Sequence, residues 1–332
     1  MRLENILALT KGELVNTPFV KQFENIAFDV KQISRGDLFI AFDDDSVIEE
    51  ALKLGAYGIV FDKTTDVSDK EVAWIKVPSC EDALKRLLRF ELIEKDVNVY
   101  ECNEIVLKLA LQIITDTNFF VVQGDIRSIY RQLRNIEEKS TLLFCPTMCD
   151  SKLFANIKQV HVSEVEPITI MEKTLFETSF IYDNTFYERQ LISPFFIPYL
   201  EELLHLFKSL KISFRLRKFT PIEHFEAVFT NKNFEIKEFG TSDKVLIFEP
   251  NSSLVGTEIA FMQKNASWAH SIYLVPHKIE TLDDENIFVY ENTNKILNIL
   301  KNNNFHFALI AGVDKSILSK PITNQAQLTL DF

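Results

Sequence analysis

The residues able to do chemistry are few and scattered. Cys145 and Cys149 place two thiols in a Cys-Pro-Thr-Met-Cys segment. A zinc site would need a second cysteine pair or a neighbouring histidine in the sequence, and neither is there, so these read as buried or idle thiols. The six histidines, His161, His205, His224, His270, His277 and His306, follow neither an H-E-x-x-H pattern nor a triad-like order, which favours structural or surface roles. Arg215-Leu216-Arg217-Lys218 is a compact basic run that reads as a solvated linker, with anion binding as its functional alternative. Gly312-Val313-Asp314-Lys315-Ser316 ends in the Lys-Ser pair used by phosphate-binding loops, yet it has one glycine and the wrong spacing, and it reads as a loop after a strand. Gly124-Asp125 lies at a strand end, where a turn glycine is the simpler explanation. No catalytic residue and no metal site emerges.

Bulk properties narrow the class. The 332-residue chain is 46% hydrophobic, enough for a sizeable core in two or three domains. Thirty-six basic residues against 48 acidic ones give a formal charge of -12, which opposes direct nucleic-acid binding. The start, MRLENILALTKGELV, has no basic segment leading to a small-residue cleavage site, and no run of about 18 apolar residues occurs, so a cytoplasmic protein without membrane insertion is expected. The four cysteines suit reduced thiols. Twenty-nine phenylalanines against 8 glycines imply a Phe-rich core and few places where backbone can approach a phosphate closely.

The elements that would position any site alternate between strand and helix. Apolar runs at 38–42, 57–61 and 73–77 predict strands, with a helix over 46–54 between the first two. Ser79 with Asp82 predicts the start of a helix burying Ala83, Leu84, Leu87 and Leu88. A second α/β unit follows, with a helix over 103–114 and strands at 119–122 and 142–145. A hairpin is expected over 175–192, turning at Asp183-Asn184, then a helix over 197–210 and a boundary near 215–220. The last third predicts strands at 245–248, 272–275, 287–290 and 307–311 with helices over 254–263 and 293–301. This alternation favours a mainly parallel sheet with helices on both faces and ligands at the carboxyl ends of strands.

The stretch Phe28-Asp29-Val30-Lys31-Gln32-Ile33-Ser34-Arg35-Gly36-Asp37-Leu38-Phe39-Ile40-Ala41-Phe42 resembles the opening signature of the Mur ligase family, an Asp-Ser-Arg-like triplet before a Pro-Gly-Asp-Leu-Phe-hydrophobic-Ala strand. The similarity continues through Ile48 to Val60, with Ala51 and Gly55-Ala56 matching the family's helix-to-strand turn, and through Ile75-Lys76-Val77 and the Asp82-Ala83-Leu84 helix. Within the family, the member adding D-alanyl-D-alanine to the UDP-muramoyl tripeptide is the nearest in pattern. The resemblance implies an α/β, three-part Mur-ligase-like architecture. Its parts would be a mixed α/β N-terminal domain over 1–95, a truncated central α/β domain over 96–215, a Rossmann-like C-terminal domain over 216–320 and a tail over 321–332.

The family uses its first domain for the uridine-diphosphate end of a peptidoglycan precursor, which implies Asp29, Lys31, Phe39 and Ala41 as ligand-binding positions. The departures matter. Asp29-Val30-Lys31 lacks the hydroxyl and the bidentate guanidinium of the family triplet, and Asp43-Asp44-Asp45 would repel a pyrophosphate. The family also activates a carboxylate with ATP held in a glycine-rich P-loop, but the sequence contains no G-x-x-x-x-G-K-[ST], and the segment Val97 to Ile105 has no glycine. The reading is therefore a degenerate relative, not an active enzyme and without cofactor. It would act as a binding, regulatory or scaffolding protein in peptidoglycan precursor synthesis, with UDP-muramoyl precursor or cell-wall synthesis proteins as partners. The alternative is an active ligase using ATP and magnesium through an unorthodox site. A separate signal lies in the tail: Gln327, Leu328, Leu330 and Phe332 form a Gln-Leu-x-Leu-x-Phe pattern similar to peptides that bind the sliding clamp, which makes the clamp a further expected partner.

Overall fold

The computed structural model describes residues 1–42, 45–159, 168–216, 218–238, 241–278 and 285–319. The chain divides into two compact units, Met1–His161 with Lys211–Phe214, and Val162–Leu210 with Arg215–Phe332. The stretch 96–215 thus contributes to both. The tail motif at 327–332 lies outside the described residues.

The first unit opens with α1 (Leu3–Thr10), β1 (Glu13–Leu14), β2 (Ile26–Ala27), β3 (Leu38–Ile40), α2 (Asp45–Lys53), β4 (Gly58–Phe61), β5 (Ala73–Lys76) and α3 (Cys80–Glu94). Its first sheet has the order β1-β5-β4-β3-β2, parallel except for β1. Every residue of β3 and β4 is buried, the continuous apolar reading of a parallel strand covered on both faces. Gly58 is required by packing, since a Cβ there would lie 2.5 Å from Phe23 Cε1 and 2.7 Å from Leu38 Cδ1. Gly55, at φ 95°, ends the helical segment in the left-handed conformation, its N–H donating to Leu52 O. Ser79 Oγ accepts from Asp82 N at 3.2 Å and starts α3, which buries Ala83, Leu84, Leu87, Leu88 and Leu92.

A second sheet of this unit comprises β6 (Asn98–Glu101), β7 (Phe119–Val122), β8 (Thr141–Phe144) and β9 (Ile157–Gln159), with α4 (Glu104–Ile113) and α5 (Ile126–Leu133) between strands. Its order is β7-β8-β6-β9, all parallel. The chain leaves β6 for the far edge, returns inward to β8, then passes to the other side of β6. The direction of progression therefore reverses at β6, the kind of place where ligands of open α/β sheets sit. One core joins α3 and α5, with Leu84, Leu88, Ile129, Tyr130, Leu133 and Phe144 among its buried members.

The second unit begins with an antiparallel meander of β10 (Thr169–Lys173), β11 (Thr178–Tyr182) and β12 (Thr185–Gln190), followed by α6 (Ile197–Leu210). Asp183 and Asn184 turn β11 into β12 with φ of 50° and 57°, the two left-handed residues of a primed hairpin turn. Next come β13 (Glu226–Thr230), β14 (Lys244–Glu249), α7 (Val255–Asn265), β15 (Ser271–Val275), β16 (Ile287–Val289), α8 (Thr293–Asn302) and β17 (Phe307–Ala311). The sheet order is β13-β14-β17-β15-β16, parallel except for the edge strand β13. A short 3-10 turn over Lys315–Ser319 follows β17. Leu246, Phe248, Leu274, Ile296, Leu300 and Ile310 form the core under α8.

Candidate functional site

The carboxyl ends of β2 and β3 form the rim on which the sequence places a ligand. Asp37 lies at the opposite, amino end of β3. Buried completely, its carboxylate accepts from Asn25 N and Asn25 Nδ2, both at 3.1 Å, and from Ser34 N at 2.8 Å, tying the turn before β3 to the residue before β2. Its role is structural. Asp29 caps the short 3-10 turn Val30–Gln32, accepting from Lys31 N at 3.1 Å, and Lys31 is exposed. Phe39 and Ala41 are 1% and 5% exposed and pack with Ile48, Ala51, Ile59 and Trp74, so a ligand could meet only their backbone. Of the four expected positions, two are at the surface and two belong to the core.

The same rim holds cations that sequence reading passed over. Helix α5 carries Arg127 and Arg131 one turn apart. The Arg127 guanidinium lies 5.3 Å from the Phe42 ring centroid and that of Arg131 5.0 Å from the Phe28 centroid. Phe28 meets Phe42 edge-on at 6.1 Å and Tyr130 at 5.6 Å, so each arginine lies over an aromatic floor that orients it. Both are exposed, and Arg127 also acts electrostatically on the Asp125 carboxylate. Asp125 starts α5 by accepting from Ser128 N at 3.0 Å, which, as the leading cause, holds its carboxyl below the usual range. Ile126, Ile129, Tyr130 and Leu133 bury the opposite face. That spacing behind an Asp-x-x-Ser cap was the available signal for the helix, and the i,i+4 arginines were the signal for the site. Exposed guanidiniums of this kind suit the oxygens of a phosphate or diphosphate.

At β6 the chain crosses from strand to helix in two residues. Cys102 N donates to Phe144 O at 2.9 Å, and Asn103 caps α4 by accepting from Val106 N at 2.9 Å. A P-loop fills this joint with a glycine-rich loop whose amides ring the phosphates. Here the first free turn of the helix is capped by the chain's own Asn103 side chain. Nearby, Gly124 takes φ 104° as a turn residue, donating its N–H to Met148 O at 3.1 Å. Cys145 and Cys149 close a turn, Cys149 N donating to Cys145 O at 3.1 Å. Both are buried, and burial pushes the Cys149 thiol up to about 12. No group of three or more His, Cys, Asp or Glu side chains suited to a metal exists among the described residues.

The second unit contains a cluster of buried ionisable groups at the carboxyl end of β14. His224 Nδ1 donates to Glu249 Oε1 at 2.8 Å, and Glu249 also accepts from Phe225 N at 3.0 Å and Asn251 N at 2.7 Å. Burial alone would raise the Glu249 carboxyl, but these bonds outweigh it and hold the group below its usual range. Glu258 of α7 is fully buried beside Glu249. Burial first and the neighbouring Glu249 second raise it well above the ordinary carboxyl value. Its hydrogen bonds fix the loop after β14 against the segment that leads into β13.

No protein-family model matches the sequence, and no curated protein matches it. Among solved structures, MurF from Acinetobacter baumannii aligns over 93% of this chain and 95% of its own, at 8% identity and a TM-score of 0.51. The MurF ligase of Thermotoga maritima, solved in complex with ADP, aligns over 89% of this chain and 95% of its own at 12% identity and a TM-score of 0.48. The Acinetobacter match, at 8% identity, establishes likeness of fold alone. The chain has the α/β fold of the Mur ligases. No described helix is long and apolar enough to cross a membrane.

Proposed function

We propose that this protein is a degenerate relative of the Mur ligases that binds a peptidoglycan precursor without activating it, as a regulatory or scaffolding component of precursor synthesis. The observation carrying this reading is the joint at Cys102-Asn103. The strand that should lead into a P-loop runs into a side-chain-capped helix with two residues between, which supports the reading that no nest of amides serves a triphosphate there. Catalysis by acyl phosphate needs that nucleotide; binding of the precursor does not. The rim at β2 and β3 supports the binding half of the proposal. Arg127 and Arg131, held over Phe42 and Phe28, supply guanidiniums where the family-like triplet has only Lys31. A UDP-type diphosphate is the ligand class they suit.

The test is calorimetric titration of UDP and of UDP-muramoyl tripeptide into the intact chain and into Arg127→Ala and Arg131→Ala variants. Saturable binding weakened at least tenfold by either substitution is expected, because a charge-assisted bond of about 1.5–3 kcal/mol is removed. Absence of binding by either ligand would remove the precursor from the account.

A further inference from the structure

Helix α5 departs from the charge of the chain that carries it. The sequence has a formal charge of -12, yet Ile126–Leu133 contains Arg127 and Arg131 and no acidic residue, and Arg134 follows in helical conformation at φ -52° and ψ -37°. Residues three and four apart share a helix face, so Arg127, Arg131 and Arg134 form one stripe. All three are exposed, whereas Ile126, Ile129, Tyr130 and Leu133 are buried. The polar residues beside the stripe are engaged within the unit: Ser128 Oγ donates to Asp125 Oδ2 at 3.2 Å, and Gln132 Nε2 donates to Val121 O at 2.7 Å. The stripe is thus made of guanidiniums, and a diphosphate at Arg127 and Arg131 uses only the first two.

We infer that Arg134 is a third contact of this site and selects ligands that carry a carboxylate beyond the diphosphate. Arg134 acts on the ligand proposed above for Arg127 and Arg131, so its role rests on that binding. Along the helix axis Arg131 lies about 6 Å from Arg127, and Arg134 about 4.5 Å further, at about 1.5 Å per residue. Long helical side chains lean back toward the N-terminus, which carries the Arg134 guanidinium toward Arg131 and the rim. Its charge is felt at the Tyr130 hydroxyl, where it opposes that of Glu91. Glu91 is itself held by Lys95 Nζ at 3.0 Å, so its charge is compensated without Arg134. With the diphosphate spread over Arg127 and Arg131 and a sugar running on along α5, the group beyond the sugar reaches Arg134. A guanidinium there favours a planar anion with two oxygens, which it grips through two parallel N–H donors.

Matched probes isolate the carboxylate: UDP-N-acetylglucosamine and its 3-O-lactyl ether, which differ by the lactyl group and its carboxylate. Titrated into the full chain in a calorimeter, the ether should bind about tenfold more tightly, the lower end of what a charge-assisted bond supplies. Arg134→Ala should bring the ether and the sugar nucleotide to equal affinity. Arg134→Lys should recover part of the preference, since lysine keeps the charge but not the two-pronged grip. Added salt should shrink the preference of the full chain. Because Arg134 is exposed, an unchanged melting temperature will verify the fold of both variants. UDP, titrated alongside, separates the two claims. Binding of UDP by the full chain with no preference for the ether, or a preference that survives Arg134→Ala, would overturn the role of Arg134 and leave diphosphate binding at Arg127 and Arg131 in place. Loss of UDP affinity in Arg134→Ala by the same factor as for the ether would also overturn it, because the arginine would then supply only general positive charge. No binding of UDP by the full chain would overturn both.

Discussion

Glu258 offers a quantitative test of how the second unit is held together. Its side chain is fully buried beside Glu249, and burial first and that neighbouring carboxyl second raise its own carboxyl well above the ordinary value. In the unfolded chain it ionises near that ordinary value, so between there and its raised folded value the native state holds a proton that the unfolded state has released. Stability must then fall as pH rises through this window, by up to about 1.4 kcal/mol per pH unit for one proton. Glu249 acts in the opposite direction and elsewhere: its carboxyl is lowered, so its contribution is present above the ordinary value and is lost as pH falls through the folded one. The groups nearest in electrostatic effect are Glu249, His224 and Tyr199, whose hydroxyl is raised by burial first and Glu258 second. Glu258→Gln removes the titration while keeping the shape. As pH rises above the ordinary carboxyl range the parent should lose stability and melt at progressively lower temperature, and the variant should lack that component. Near pH 4.5 the two should converge. Thermal denaturation followed by circular dichroism at several pH values is sufficient. Parallel pH profiles for parent and variant would refute the argument, because they would mean that Glu258 holds no extra proton in the folded state.

Other expectations are simpler. Gly58→Ala drives a methyl into Phe23 and Leu38 and should cost about 1–3 kcal/mol, measured by urea denaturation. A neutral result would mean that the β4 backbone can shift away. Cys80 and Cys149, both pushed up to about 12 chiefly by burial, should resist a thiol reagent at pH 8 in the native protein and react when it is unfolded. Rapid native labelling at either would contradict their placement.

Much of the fold was legible because local and global signals agreed. The Ser79-Asp82 cap, the Asp183-Asn184 turn and the apolar runs of β3 and β17 each specify one conformation and bury what they predict. The omissions have physical causes. Strand β2 is only Ile26–Ala27, too short to show a period, and the eight residues of α5 give few turns in which to read one. Strand β13 starts with a glutamate and alternates, as edge strands do, so it lacks the apolar run that marked its neighbours. The site was harder. A strand buried on both faces gives no indication of which side chains face a ligand, and the structure places Phe39 and Ala41 in the core. Arg127 and Arg131 meet Phe42 and Phe28 only because α5 returns beside the first sheet, a contact across about 85–100 residues that no local pattern records. His224, Glu249 and Glu258 likewise converge through the pairing of β13 with β14 and the placement of α7.

The central claim, a Mur ligase fold without a working nucleotide site, stands or falls on one titration. Mg-ATP should be added to the intact chain in a calorimeter, with a solution of UDP-muramoyl tripeptide present and absent. With Asn103 capping the helix directly after β6, no saturable heat is expected in either case. A micromolar dissociation constant for Mg-ATP, with or without the precursor, would contradict that claim and restore the active-ligase alternative.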